Sequence, residues 1–526
     1  MSLLDLLKSY SDGNHYPMHM PGHKRNVNLL PDYKIDITEI NGFDNLHNPE
    51  GILKECMEHA ASVYDSLDTF YVVNGSTCAL QSAIYASAKR GDKVLIGRNC
   101  HKSVYNMITV RGLMPVYVYS ESGFTLPEDV ADVLESNPDI KVAVITSPTY
   151  DGIVSDVEKI AEICHLHNVT LIVDEAHGAH LPFVRGTSAE GYFPESAINQ
   201  GADLVVHSLH KTLPAMTQTA VLHRMSERVS GEKIRHALSI FESSSPSYVL
   251  MASIDECINY TDENRIHLFS DYVERLVKFY KHASDEFPAF FSEEILQFAF
   301  SDKGCKNRVS GSFDPGKILI CGKNLSMTGG EIYDILLNNY GIVPEMSAGD
   351  YCLCMTSVCD TDDGMNRLAY ALKEIYQSRH DLAKPCTESE FFEKKDVILK
   401  SGTAGAEDEF RCKSVYPPKG GKMFCSPGES ENHGKVLLEV EYLTLNQGVP
   451  EKDNPAEERL TKVVLSEDEK LPVCGEIVAV YPPGAPVLVP GEYVTKECIE
   501  YIKKALAAGN EVHGVHDGCI YVLTEE

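Results

Sequence analysis

The sequence predicts an α/β protein with a mostly parallel central sheet, helices on both of its faces, and smaller α+β regions towards the carboxyl end. Three observations predict it. From about residue 68 short β-branched runs alternate with helical stretches. The runs are almost continuously apolar, as strands buried on both faces are. The stretches between them carry apolar residues at i, i+3, i+4 and i+7 and stop at Gly or Asn, as helices do.

In order, the strands are TFYVV (69–73), KVLIG (93–97), PVYVY (115–119), KVAVIT (141–146), TLIVDE (170–175), ADLVVHS (202–208) and TAVLH (219–223). STCALQSAIYASAKRG and VEKIAEICHLHN are the clearest helices between them. A mixed region from about 250 to 380 opens with a long helix, YVLMASIDECINYTDENRIHLFSDYVERLVKFYKHA, and continues through the strands KILICG and DYCLCMTS. Residues 386–470 are rich in Gly, Pro, Lys and Glu and read as a loop-rich insertion. Strand, turn and helix return in the last part. The expected units are a segment at 1–60, a large α/β unit at 61–250, a smaller α+β unit at 251–385 and a terminal unit at 386–526.

At 526 residues and 43% hydrophobic content the chain is long enough to bury more than one core. Its 47 basic and 77 acidic residues leave a net charge of -30, which repels phosphate backbones and anionic membranes. Nucleic acid and membrane surfaces are therefore not expected partners. No apolar run approaches the ~20 residues of a membrane span, and the amino terminus lacks the basic start of a secretory signal. The sixteen cysteines are scattered, many of them inside apolar segments, as thiols are in a reducing compartment. A cytoplasmic protein without structural disulfides is expected. Cys352, Cys354 and Cys359 fit a strand better than a zinc pattern, and Pro17 and Pro21 break the helix that a His15, His19 and His23 site would need.

In sheets of this kind ligands bind at the carboxyl ends of the strands, and four of those ends are loaded. Asn74-Gly75-Ser76-Thr77 opens a helix whose free N–H groups suit a phosphate. His101 sits at a strand-to-helix turn, where its ring can stack on a flat ligand. VDEAHGAH ends a buried strand with Asp174, a carboxylate that demands a cationic partner. Its DEAH string suggests a helicase, yet the chain has no G-x-x-x-x-G-K-[ST] loop. After the sixth strand come Ser208, His210 and Lys211. A lysine there loses its charge easily and can capture an aldehyde. A phosphate-binding turn, a buried acid, a stacking ring and such a lysine are together what pyridoxal 5'-phosphate requires.

The ordered segments MPGHK (20–24), DITEINGFDNLHNPEG (36–51), NGST, NCHKS, SPTYDG (147–152), VDEAHGAHLPF (173–183), HSLHKTL (207–213) and SSSPSYVLMASID (243–255) resemble the Orn/Lys/Arg decarboxylase family. The resemblance covers roughly residues 10–380 and returns at YPPGAPVLVPGE; it is to the short bacterial form, without a receiver-like domain ahead of PGHK. It implies fold type I of the pyridoxal-phosphate enzymes and decarboxylation of arginine, lysine or ornithine to an amine and CO2, in polyamine synthesis or acid consumption. It implies that Lys211 holds the cofactor, Asp174 pairs with its ring nitrogen and His101 stacks on it, with Ala176 and His177 on the other side. Gly75, Ser76, Thr77, Ser208 and His210 would grip the phosphate. Ser244 would reach the phosphate of a neighbouring subunit, making a homodimer the smallest active unit. Glu345 would meet the distal cation of the substrate. His101 and Lys211 are both candidates to reprotonate Cα. Two other readings stand beside this one: another fold type I enzyme (an aminotransferase, a lyase or a decarboxylase of a non-basic amino acid), or a regulatory protein that binds the cofactor without turnover.

Overall fold

Seven strands run in the spatial order β2-β8-β7-β6-β5-β3-β4: β2 (Asp68–Val72), β3 (Lys93–Gly97), β4 (Met114–Val118), β5 (Ile140–Thr146), β6 (Thr170–Asp174), β7 (Leu204–His207) and β8 (Ala220–Arg224). Neighbours pair in parallel from β4 through β3, β5 and β6 to β7; β8 alone is reversed, antiparallel to both β7 and β2. The computed structural model describes residues 16–18, 22, 24, 37–40, 43–119, 124–292, 295–296 and 312–379. Towards the carboxyl end it describes 440–444, 473–474, 477–481, 486–489, 492, 494, 496–507, 511–515 and 519–523. His15, His19, Pro21 and His23 lie outside these residues, as does the 386–470 stretch apart from Val440–Thr444.

Alternation along the strands splits the apolar side chains between two cores, as a pleated sheet requires. Leu95, Ala143, Ile145, Leu171, Val173 and Val205 enter one core; Val94, Ile96, Val142, Val144, Ile172 and Val206 enter the other. On the first face pack α4 (Pro127–Ser136) through Val130 and Leu134, and α5 (Val157–Leu166) through Ile160 and Cys164. On the second pack α2 (Gly75–Ser87) through Leu80 and Ala83, α3 (Lys102–Arg111) through Val104 and Met107, and α7 (Gly231–Phe241) through Ile234 and Leu238. The long helix α8 (Tyr248–Glu286) is capped by Ser247, whose side chain accepts the Leu250 N–H. Its 39 residues span about 58 Å at 1.5 Å per residue, which carries the first core from the central sheet into the next unit. A short helix α1 (Ile52–Val63) packs beside its start.

That unit holds an antiparallel sheet of β9 (Lys317–Cys321), β11 (Met346–Ala348) and β12 (Tyr351–Met355), with β12 central. A capping box between Thr328 and Glu331 starts α9 (Gly329–Tyr340), and Gly341 at φ 61 ends it. After it β10 (Ile342–Pro344) pairs in parallel with β1 (Tyr16–Met18), and α10 (Asp362–Arg379) closes the layer. Near the carboxyl end β15 (Val478–Tyr481) pairs with β16 (Pro486–Leu488) and β17 (Glu511–His513), packed by α11 (Lys496–Ala507). A further set joins β13 (Val440–Thr444), β14 (Val473–Cys474) and β18 (Cys519–Leu523). Among the described residues no helix is long and apolar enough to cross a membrane. Cys352 and Cys354 are buried inside β12, and Cys359 is buried beyond it.

Candidate active site

The loaded strand ends converge at the carboxyl edge of the parallel sheet. Asp174 is the last residue of β6; it is 4% exposed, and its Oδ1 accepts the Ala176 N–H at 3.1 Å. On the adjacent β7 the chain does not run straight on from His207. It folds into one helical turn, α6 (Leu209–Thr212), which swings Lys211 back over the strand ends. Gly22 secures that turn: its N–H donates to His210 O at 2.6 Å, and a Cβ there would stand 2.7 Å from Leu213 N.

Lys211 Nζ lies 3.0 Å from His177 Nε2. The Tyr150 ring lies 4.6 Å from that of His177, and Tyr150 Oη donates to Glu345 Oε1 at 2.5 Å. His101 caps α3: its Nδ1 accepts the Ser103 N–H at 3.2 Å, which leaves the proton of the neutral ring on Nε2. Two charges face each other here. Burial pushes the Lys211 ammonium down, while Asp174 and Glu345 pull it back up. Burial pushes the Asp174 carboxyl up against the pull of Lys211. Burial, then Lys211, hold His101 down at about 4, and burial holds His210 at about 4 although its Nδ1 meets Thr219 O at 3.1 Å. Both rings are neutral near pH 7.

The phosphate-type donors gather at one end. Gly75 takes φ +78 at the start of α2, and Asn74 makes no side-chain capping bond there. Ser208 is fully buried, and among the described residues its Oγ has no hydrogen-bond partner. A buried hydroxyl of this kind costs stability unless something accepts from it. An uncapped helix start, an unpartnered hydroxyl and a buried acid opposite a lysine suit a phosphorylated, cationic ring compound. Ser76 is partly exposed and Thr77 exposed on the first turn of α2, and Ala176 is buried beside Asp174. Ser244 is exposed in the turn before α8, tied to Asn74 through the Ser243 N–H at 3.3 Å.

Three residues of the cluster escape a reading of the sequence: Tyr150, Lys317 and the buried Lys24, whose Nζ donates to Met355 O at 2.5 Å. Lys317 begins β9 and is 2% exposed. The available signal was a lysine heading the otherwise apolar run KILI. His180, three residues after His177, turns away to Asp314, with Nε2 3.3 Å from Oδ2.

Comparison with known proteins agrees with this architecture. The family model described as "Orn/Lys/Arg decarboxylase, major domain" matches residues 2–362. The chain belongs to the Orn/Lys/Arg decarboxylase family, and its fold is type I of the pyridoxal-phosphate enzymes. An arginine decarboxylase of Halalkalibacterium halodurans is 29% identical over 98% of this chain and 95% of its own length. One of Bacillus subtilis is 28% identical over 98% and 96%. Among solved structures, lysine decarboxylase A from Pseudomonas aeruginosa superposes with a TM-score of 0.65 at 18% identity, covering 93% of this chain and 74% of that one.

Proposed function

We propose that the protein is a pyridoxal 5'-phosphate-dependent decarboxylase that converts a basic L-amino acid, arginine, lysine or ornithine, to the corresponding amine and CO2. The observation that carries this reading is the pair Asp174, at the end of β6, and Lys211, on the helical turn that follows the neighbouring parallel strand β7, each strained by burial in the direction the other relieves. When bound, the cofactor supplies a protonated pyridine ring that accepts the electron pair left at Cα as CO2 departs.

Asp174 would keep that ring nitrogen protonated, because a buried carboxylate opposite it makes loss of the proton costly. Lys211 would hold the aldehyde carbon of the cofactor through Nζ. His101 would lie against one face of the ring, with Ala176 and His177 on the other. The amides of Gly75, Ser76 and Thr77, the Ser208 hydroxyl and His210 would receive the phosphate, which would give the unpartnered Ser208 Oγ its acceptor. Side chains on both faces would orient the substrate, and that placement would decide which bond at Cα breaks. Lys211 Nζ and His101 Nε2 are the two groups that could supply the proton Cα needs.

Glu345 gives the reading its substrate class. A carboxylate braced by Tyr150 favours a cationic side chain over an apolar one. Arginine comes first among the three, since relatives that match almost the whole chain carry that name. Ser244 would reach the phosphate of a second copy, which would make a homodimer the smallest active unit. The amine would serve polyamine synthesis, or the reaction would consume acid in the cytoplasm, since Cα takes up one proton for each CO2 released. The test is a panel of arginine, lysine, ornithine and apolar amino acids, assayed for amine and CO2 with added cofactor. Amine from at least one basic substrate and none from the apolar ones is expected. Absence of amine from all three basic substrates contradicts the proposal.

A further inference from the structure

The His177 ring is held between two lysines. Lys211 Nζ stands 3.0 Å from Nε2, and Lys317 Nζ stands 2.7 Å from Nδ1. The ring is 6% exposed and Lys317 2%. Burial first, then both lysines, keep the ring from taking a second proton. A neutral imidazole offers one N–H and one lone pair. An ammonium can only donate, so two ammonium groups would force one of them against the ring N–H. At most one of the lysines is therefore charged, and the ring's tautomer is set by which one it is.

We propose that Lys211, His177 and Lys317 form a proton relay in which one ammonium proton passes from Lys211 to Lys317 across the His177 ring. In the starting state the Lys211 ammonium donates to Nε2, and Nδ1–H donates to the Lys317 amine. The transfer breaks an N–H bond on Lys211 and forms Nε2–H; it breaks Nδ1–H and forms an N–H bond on Lys317. Charge is conserved and no other reactant takes part.

Both ends are built to hold the charge. Lys211 faces Asp174 and Glu345. Lys317 faces Asp314 and Glu345, with Met355 Sδ at 3.6 Å and the Tyr150 ring at 5.9 Å. Asp314 stays ionised in spite of its burial, because His180, Lys317 and the Gly316 N–H hold it below the usual carboxylate range. The other charged or titratable groups facing the relay are Lys24, which opposes charge on Lys317, and His101 and His210, which oppose charge on His177. Burial brings Lys317 down to about 7, so it exchanges its proton near neutrality. Lys211 thus becomes a nucleophile without losing its proton to solvent. Lys317 is a positioning residue that acts through His177.

This consequence rests on the cofactor role proposed for Lys211, but the transfer can be tested without cofactor, so the two ideas fail separately. The full-length chain, freed of bound carbonyl compounds, is labelled with trace acetic anhydride across the neutral and alkaline range, and the midpoint of Lys211 reactivity is read by peptide mapping. Lys317→Met should raise that midpoint by about one pH unit. Lys317→Arg, a permanent donor to Nδ1, should lower it. In a His177→Phe background both shifts should shrink to a small fraction, because the link is gone. Shifts that persist in full there show a through-space charge effect and overturn the relay. A readout on the unaltered chain needs no variant to fold: with 15N-labelled histidine, His177 should populate both tautomers, and a ring fixed in one of them overturns the proposal.

Discussion

Lys211 and Glu345 illustrate how far a single side chain can be read. The role of Lys211 follows from its place after an apolar strand, because a cation there must find a carboxylate or lose its proton. Its partner Asp174 was legible for the same reason. Lys317 was not, since a sequence does not say which lysine heading a strand is buried; the backbone at Gly152, whose O accepts the Asp314 N–H at 2.8 Å, and the strand β12 close over it in three dimensions. Tyr150 escaped similarly: its partner Glu345 is 195 residues away. Glu345 carries the residue-scale prediction. Glu345→Gln keeps an acceptor for Tyr150 Oη but removes the charge. A lost charged hydrogen bond of about 1.5–3 kcal/mol corresponds to roughly a 10- to 100-fold fall in kcat/KM for the basic substrate. Steady-state kinetics checks this, and an unchanged value would remove Glu345 from substrate recognition.

The strands were legible to within a residue or two because a buried parallel sheet writes its pattern almost without interruption. Lys93–Gly97 is the run KVLIG itself, and Thr170–Asp174 ends one residue before the sequence suggested. The turn α6 was not, because Ser-Leu-His-Lys has no helical period to detect. It exists because Gly22, 189 positions earlier than Lys211, packs against it. Glu242 belongs to this scale as well. It ends α7, and its Oε1 accepts the Val73 N–H at 2.9 Å, fixing the loop into α2. Burial pushes its carboxyl up from 4.5 to about 7 in spite of that bond. Between those values the folded chain keeps a proton that the unfolded chain has released, so stability falls as pH rises from 4.5 to about 7 and is level above. Glu242→Gln retains an acceptor and removes the charge. It should leave stability unchanged in acid and raise it by about 2–3 kcal/mol above neutrality. Denaturant unfolding at both ends of the range checks this; equal pH dependence in the two proteins would contradict it.

Across the whole molecule, the segment YPPGAPVLVPGE is anchored back onto the sheet that bears the site. Arg98, three residues before His101, donates to both oxygens of Glu492 at 2.9 Å and to Pro486 O and Val487 O, and Tyr119 Oη donates to Glu492 as well. Glu492 is 1% exposed. Arg98→Ala strands a buried carboxylate, at a cost of about 3–5 kcal/mol. Limited proteolysis should then release a carboxyl-terminal fragment faster; an unchanged rate would show that other contacts carry the docking. The central claim concerns one bond. Borohydride reduction of the protein purified with pyridoxal 5'-phosphate, followed by intact mass and peptide mapping, should place one reduced cofactor on the Nζ of Lys211 and leave Lys211→Ala unlabelled. A label on Lys24 or Lys317 instead, or none on the unaltered chain, would contradict it.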